Sequence, residues 1–210
     1  DLPSCPPVSL KAYAGQIIAL VGANGSGKTE TALTLAGLLE PQEGVVSATD
    51  ELKGKLSSDH PYRWRSRDLL SRMGYVFQSP EHQFVSSSVR DELMLGMRAS
   101  GSSRELAEAK ARELAARLGL DELLDAHPFT LSGGQQRRLS VATILATAPK
   151  VLILDEPTFG QDATTWLQLV GLLRELSSQG HSVVVITHDQ ELVSVAADVV
   201  IEVGGVHAQH

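Results

Sequence analysis

Short apolar runs recur along the chain, each bounded by glycine, proline or charged residues. Residues 17–21 and 150–155 read as buried strands, since a strand covered by helices on both faces needs no polar alternation, and 74–77, 182–186 and 199–203 read as further strands. Between them the period becomes helical. Leu33, Leu35, Leu38 and Leu39 predict a helix over 31–39 that Pro41 and Gly44 end. Val89, Leu93 and Met97, then Leu106, Leu114 and Leu118, predict helices across 89–124, interrupted by Ser-Gly-Ser-Ser at 100–103 and closed by Gly119. Further helices are predicted over 139–148, 166–176 and 190–197. Val45-Val46 reads as a short strand, residues 10–15 as a candidate hairpin into the strand at Ile17, and 47–68 as polar and turn-rich without a defined element. Strands alternating with helices predict an α/β fold on a mostly parallel sheet, and no internal repeat is visible.

Composition narrows the class without redirecting it. At 210 residues, 42% of them hydrophobic, the chain can bury a sizeable core. A net charge of -7 and a pI near 5.5 argue against a nucleic-acid partner, which needs a basic face. No apolar run reaches the length of a bilayer span, and no signal peptide is visible. The single Cys5 excludes an internal disulfide and suits a reducing compartment. A start at Asp1, running into Pro3, Pro6 and Pro7, is what a fragment, a processed chain or an excised domain would show.

The candidate chemistry centres on Gly22-Ala23-Asn24-Gly25-Ser26-Gly27-Lys28-Thr29, which satisfies G-x-x-x-x-G-K-[ST] between a strand and a helix. Its glycines let successive N–H groups turn inward on an anion, and the helix start adds its positive dipole end. Lys28 supplies a compact charge for outer phosphates, and the Thr29 hydroxyl is a candidate Mg2+ ligand. A nucleoside triphosphate is the expected ligand. The strand at 150–155 ends in Asp155-Glu156, where ligands bind in open α/β sheets. Asp155 is a candidate for the Mg2+ shell and Glu156 for polarising an attacking water; the plain alternative is an acidic strand end entering Pro157. Ser132-Gly133-Gly134-Gln135 opens a helix, with Ser132 as N-cap, and makes a second anion site. His188 and Gln78 close strands, where solvated loop residues are the plain alternative. His207 and His210 lie in an apparent tail, and Trp64 between Arg63 and Arg65 reads as a surface anchor.

These motifs resemble, over nearly the whole chain, the ATP-binding-cassette ATPase family. Gly22 to Thr29 looks like the Walker A loop, Gln78 like the Q-loop glutamine, and Leu131 to Gln135 (LSGGQ) like the family signature. Val151 to Glu156 looks like Walker B with its catalytic glutamate, Asp162 like the D-loop aspartate and His188 like the switch histidine. The resemblance implies a P-loop NTPase core, about residues 1–85 and 139–210, with an inserted helical subdomain, about 86–138. It implies ATP and Mg2+ as ligands, with Thr29, Gln78 and Asp155 around the metal. It also implies a head-to-tail dimer with a second cassette, in which Ser132, Gly133, Gly134 and Gln135 cap the partner's nucleotide.

Gln78-Ser79-Pro80-Glu81-His82-Gln83-Phe84 and Phe159-Gly160-Gln161-Asp162 resemble the energy-coupling-factor importers of vitamins and metal ions. That implies a transmembrane coupling subunit docked near Phe84 and Val85, and a peripheral place on the cytoplasmic face of the membrane. A soluble ATPase of DNA repair or translation type, or a regulatory half with little hydrolysis, are the rival readings. The short insert between Gln78 and Ser132 and the acidic charge disfavour the first. Glu156 and His188 disfavour the second. Two positions depart from the family pattern: Glu30 stands where a hydroxyl residue is usual, and no aromatic lies upstream of Val8 to stack on adenine, Tyr13 being unassigned.

Overall fold

The computed structural model describes residues 8–79 and 83–204. Five strands form one sheet in the order β2-β3-β4-β1-β5: β1 (Ile17–Val21), β2 (Met73–Val76), β3 (Val151–Asp155), β4 (Ser182–Ile186) and β5 (Val199–Glu202). Every pairing is parallel. The nearly all-apolar runs of β1 to β4 follow from this, because alternate side chains enter two different cores, while the edge strand β5 alternates half-buried and exposed positions. Ile17, Leu152, Leu154, Val183 and Val185 join one cluster, while Ile18, Leu20, Val151, Ile153, Val184 and Ile186 join the other.

The first cluster is completed by α4 (Val89–Ala99), α5 (Arg104–Arg117), α6 (Gly133–Ala146) and α7 (Ala163–Ser178), with α8 (Gln190–Ala196) at its border. Val89, Leu93 and Met97 form the buried stripe of α4, as their spacing predicts. On α5 the buried stripe is Ala107, Ala111, Leu114 and Ala115, while Leu106 stays exposed. Small alanines let α5 lie close against α4 and α6, and a leucine at 106 falls outside that face. Replacing fully buried Leu93 or Leu139 by alanine removes about 2–5 kcal/mol, transfer and cavity costs together.

The second cluster is covered by α1 (Lys28–Leu35), α2 (Asp50–Lys53) and α3 (Ser66–Leu70). Here the sequence reading needs several corrections. The first helix runs 28–35, not 31–39, and Gly37, with φ +74°, ends it in place of Pro41. The N–H of Leu38 and that of Gly37 return to Leu33 O and Thr34 O, which closes the helix end, so Leu38 and Leu39 sit beyond it and are exposed. Residues 10–15 make no hairpin and Val45-Val46 no strand. The strand at Ile17 is already paired on both sides by β4 and β5. The polar stretch 47–68 holds α2, a 3-10 turn at Pro61–Arg63 and the start of α3.

Trp64 is buried, not a surface anchor: its Nε1–H donates to Ser58 O at 2.8 Å and the Arg72 guanidinium lies 5.6 Å over its ring. Cys5, Pro80 to His82, His207 and His210 lie outside the described residues.

Candidate functional site

The carboxyl ends of β1, β2, β3 and β4 form one edge of the sheet, and most of the candidate residues follow directly from it. After β1 the chain turns through Gly22 to Gly27 into α1. Gly22 admits no side chain: a Cβ there would lie 2.3 Å from Val203 O. Gly27, with φ 91°, caps α1 in a conformation that disfavours other residues. Ala23, Asn24 and Gly25 form the exposed rim, and Ser26 N–H donates back to Ala23 O at 3.2 Å. Lys28 is 7% exposed, and its Nζ donates to Gly22 O at 2.9 Å and Ala23 O at 2.8 Å. The ammonium is therefore held inside the curl of the loop, beside the N-terminus of α1, where an anion gains most.

Thr29 follows on α1, and its Oγ1 donates to Asp155 Oδ2 at 3.0 Å, joining residues 126 positions apart. Asp155 ends β3 and is 3% exposed. Tyr75 OH donates to the same carboxylate oxygen at 3.3 Å. Burial, then the Asp155 charge, push the Tyr75 phenol well above its usual range, so it acts as a donor. A threonine hydroxyl against an aspartate carboxylate is the hard-oxygen donor set that fits Mg2+. Among the described residues no group of three or more His, Cys, Asp or Glu gathers. Mg2+, which takes few protein ligands and keeps several waters, suits so sparse a set. Gln78, two residues past β2, lies on the same edge and is exposed.

Glu156 takes φ 49°, a left-handed conformation that costs a glutamate about 1–3 kcal/mol. Its N–H donates to Ile186 O at 2.9 Å, so β4 holds the backbone in place. The carboxylate accepts the His188 N–H at 3.4 Å, and His188 Nε2 lies 3.6 Å from its other oxygen. Burial raises the Glu156 pKa above its ordinary value of 4.5, partly offset by the His188 N–H and ring and by Lys28. A desolvated carboxylate with a shielded side chain and a half-exposed imidazole beside it can take a proton from water and pass it outward.

The turn at Ser132, the second candidate anion site, is built locally. Ser132 caps α6, accepting the Gln135 N–H at 3.3 Å, while its own N–H donates to the Gln135 side chain at 2.8 Å, a complete capping box. Leu131 is buried and anchors the turn, whereas Ser132 and Gly133 are exposed. A Cβ on Gly133 would meet nothing within 4 Å. Packing inside this chain does not require a glycine there. Asp162 caps α7 through the N–H groups of Thr164 and Thr165, both at 3.0 Å. Those N–H donors, Thr165 first, and the Thr165 hydroxyl hold its carboxyl below the usual range.

Three residues of this neighbourhood escape the motifs. Tyr75 is one. Arg137 is buried on α6, and its NH1 donates to Phe77 O at 3.2 Å and Asp155 O at 3.3 Å, tying α6 to the ends of β2 and β3. Arg138 NH1 donates to Thr165 Oγ1 at 3.2 Å, and that hydroxyl donates to Asp162 Oδ2 at 2.7 Å. Two arginines directly after a helix-capping turn were the available signal. Glu30, in the first turn of α1, faces outward and accepts Gln42 Nε2 at 2.9 Å.

Against known families, residues 5–159 match the ABC transporter model. The chain belongs to the ABC transporter family. It is 45% identical over 194 residues to the putative HMP/thiamine import ATP-binding protein YkoD of Bacillus subtilis, covering 92% of this chain and 33% of that protein. It is 38% identical to the energy-coupling factor transporter ATP-binding protein EcfA1 of Halalkalibacterium halodurans, covering 89% and 65%. The chain thus spans a third of the first relative's length and just under two thirds of the second's. The fold is similar to the dimeric post-hydrolysis structure of the ATP-binding cassette MJ0796 bound to ADP and Pi. The TM-score is 0.81 at 25% identity, over 94% of this chain and 84% of that one.

Within this ABC chain the candidate residues fall into two groups. The loop at 22–29, Gln78, Asp155-Glu156 and His188 follow four strands on one sheet edge. Ser132 to Gln135 and Asp162 instead sit at the starts of α6 and α7.

Proposed function

We propose that the chain binds and hydrolyses ATP as the motor of an importer of the energy-coupling-factor type, moving a vitamin or a metal ion. The observation that carries the ATPase reading is the junction of Thr29, Asp155, Glu156 and His188 beside Lys28 on one sheet edge. Lys28 and the N–H groups of the loop hold the outer phosphates. Thr29 and Asp155, with Gln78 on the same edge, hold Mg2+, which when bound neutralises phosphate charge as it builds. Glu156 takes a proton from the attacking water, whose oxygen bonds to the γ-phosphorus as the bond to the bridging β–γ oxygen breaks. His188 orients that carboxylate through its N–H and ring. The core comprises about residues 1–85 and 139–210, with the helical subdomain at about 86–138.

The chain works as a head-to-tail dimer with a second cassette, each Ser132-Gly133-Gly134 turn capping the other's ATP. The exposed turn, with open space around Gly133, supports this reading, as does the dimeric MJ0796 relative in fold. A membrane-embedded subunit docks on the segment around Val85, which is exposed, while Phe84 is buried beneath it against Phe129. Among the described residues no helix is long and apolar enough to cross a membrane, consistent with a peripheral subunit on the cytoplasmic face. The importer reading draws on the names of the two curated relatives.

The test is to load the Glu156→Gln chain with ATP and Mg2+ and measure its mass by light scattering, alone and with candidate partner cassettes. A dimer that ADP does not produce is expected. A strictly monomeric sample with every mate supplied rules out the shared-site reading. Co-purification with ribosomes or DNA, and not with membrane proteins, overturns the importer assignment.

A further inference from the structure

Parallel register places Tyr75 opposite Ile153 on the neighbouring strand. Side chains alternate along a strand, so Asp155, two residues beyond Ile153, faces the same side as Tyr75. The tyrosine is buried in the cluster that also holds Ile18, Leu20 and Ile153, and its ring is tilted against Phe77 with centroids 4.7 Å apart. Its hydroxyl is thereby aimed, and it reaches Asp155 Oδ2 at 3.3 Å. The same oxygen accepts the Thr29 hydroxyl at 3.0 Å.

We propose that Tyr75 is a positioning residue that holds the Asp155 carboxylate ready for Mg2+ by keeping on Oδ2 a second donor, beside Thr29, that no cation engages. The inference rests on the nucleotide-site reading above. Asp155 is nearly inaccessible to water, so a carboxylate oxygen that loses its donor there is left poorly solvated and turns to find another. Thr29 can bind a cation through a hydroxyl lone pair and still donate its O–H to Oδ2, but its position then answers to the metal as well. Tyr75 has no such second duty. Its ring fills a core position that any large apolar residue could fill, and the hydroxyl is what a purely packing role leaves unexplained. Arg137 NH1 meanwhile fixes the Asp155 backbone oxygen at 3.3 Å, so main chain and side chain of this residue are held by separate partners.

The test uses Tyr75→Phe in a Glu156→Gln background, so that turnover does not enter the measurement. A fluorescent ATP analogue at fixed concentration is titrated with Mg2+, and its affinity is measured again in EDTA. The Mg2+ midpoint for nucleotide binding is expected to rise about five- to tenfold, the effect of losing one long hydrogen bond, while affinity in EDTA changes less than about twofold. An unshifted midpoint overturns the inference. An equal loss with and without Mg2+ also overturns it, by assigning Tyr75 to packing beneath the phosphate loop. Tyr75→Met lacks the hydroxyl and keeps an apolar side chain, so it must move the midpoint the same way, and it decides alone if Tyr75→Phe does not fold. A parent chain that binds no analogue at all sinks the nucleotide-site reading and this inference with it. A parent that binds normally beside an unaffected variant sinks only the role of Tyr75.

Discussion

The sheet edge and the Ser132 turn bring their polar groups together in opposite ways. At the edge, Thr29 meets Asp155 across 126 positions and His188 meets Glu156 across 32, each contact made by the pairing of strands. At the turn, Ser132 and Gln135 satisfy one another within a single helical turn, and nothing distant is needed. At the edge Lys28 and Asp155 are buried beneath an exposed rim of Ala23 to Gly25, whereas at the turn Ser132 and Gly133 themselves face solvent. A site made of long-range contacts inside one chain is an interior matter, and its groups are tuned by burial. A turn that is complete within four residues and points outward is shaped by its own sequence, and burial has little hold on it.

That contrast breaks most sharply at Glu156. Glu156→Gln is expected to lower ATP turnover about 10²–10⁴-fold with ATP binding retained, measured by phosphate release and equilibrium binding. Retained turnover would remove Glu156 from the base role. The pH profile carries the same signature. Burial raises the Glu156 pKa, and a base works only when deprotonated, so turnover should fall on acidification at a pH above the ordinary glutamate value of 4.5. Lys28→Ala comes next, weakening ATP binding by about 3 kcal/mol, or roughly a hundredfold, as loss of a preorganised charge does. Undiminished binding contradicts the phosphate assignment.

Ser132→Ala tests the other region. Loss of the cap should lower stability by about 1 kcal/mol, or roughly 2–4 °C in melting temperature. ATP binding by the isolated chain should be unchanged while turnover by the dimer falls. A matching loss of binding in the isolated chain would erase the distinction between the two regions. The smallest effect is expected at Glu30. Turned outward to Gln42, its carboxylate repels phosphate only weakly, so Glu30→Thr should tighten ATP binding about two- to threefold. An unchanged dissociation constant means that no repulsion acts there.

Much of this was legible before any coordinates. Residues 182–186 are a strand in both descriptions, because a run of β-branched residues covered on both faces has no other stable use. The glycine-rich turn at 22–27 and the Ser132 cap were legible as well, since their geometry depends on residues within a few positions of each other. What was misread shows the limits. Leu38 and Leu39 carry a helical pattern, yet Gly37 in the left-handed region ends the helix before them. Trp64 sits between two arginines and is buried all the same, because its ring joins the cluster that holds Ile18, Leu20 and Ile153 on one face of the sheet.

By itself, then, the amino-acid order determined the elements of short range: buried strands, capped helices, a glycine loop before Lys28 and a self-satisfied turn at Ser132. Only the tertiary structure decided which of these meet. Strand order brings β1, β3 and β4 side by side, and that adjacency puts Thr29 on Asp155 and His188 on Glu156. It also aims the Tyr75 hydroxyl and the Arg137 guanidinium at Asp155. The physical reason is that hydrogen bonds and burial between distant residues depend on register and packing, which no local spacing encodes.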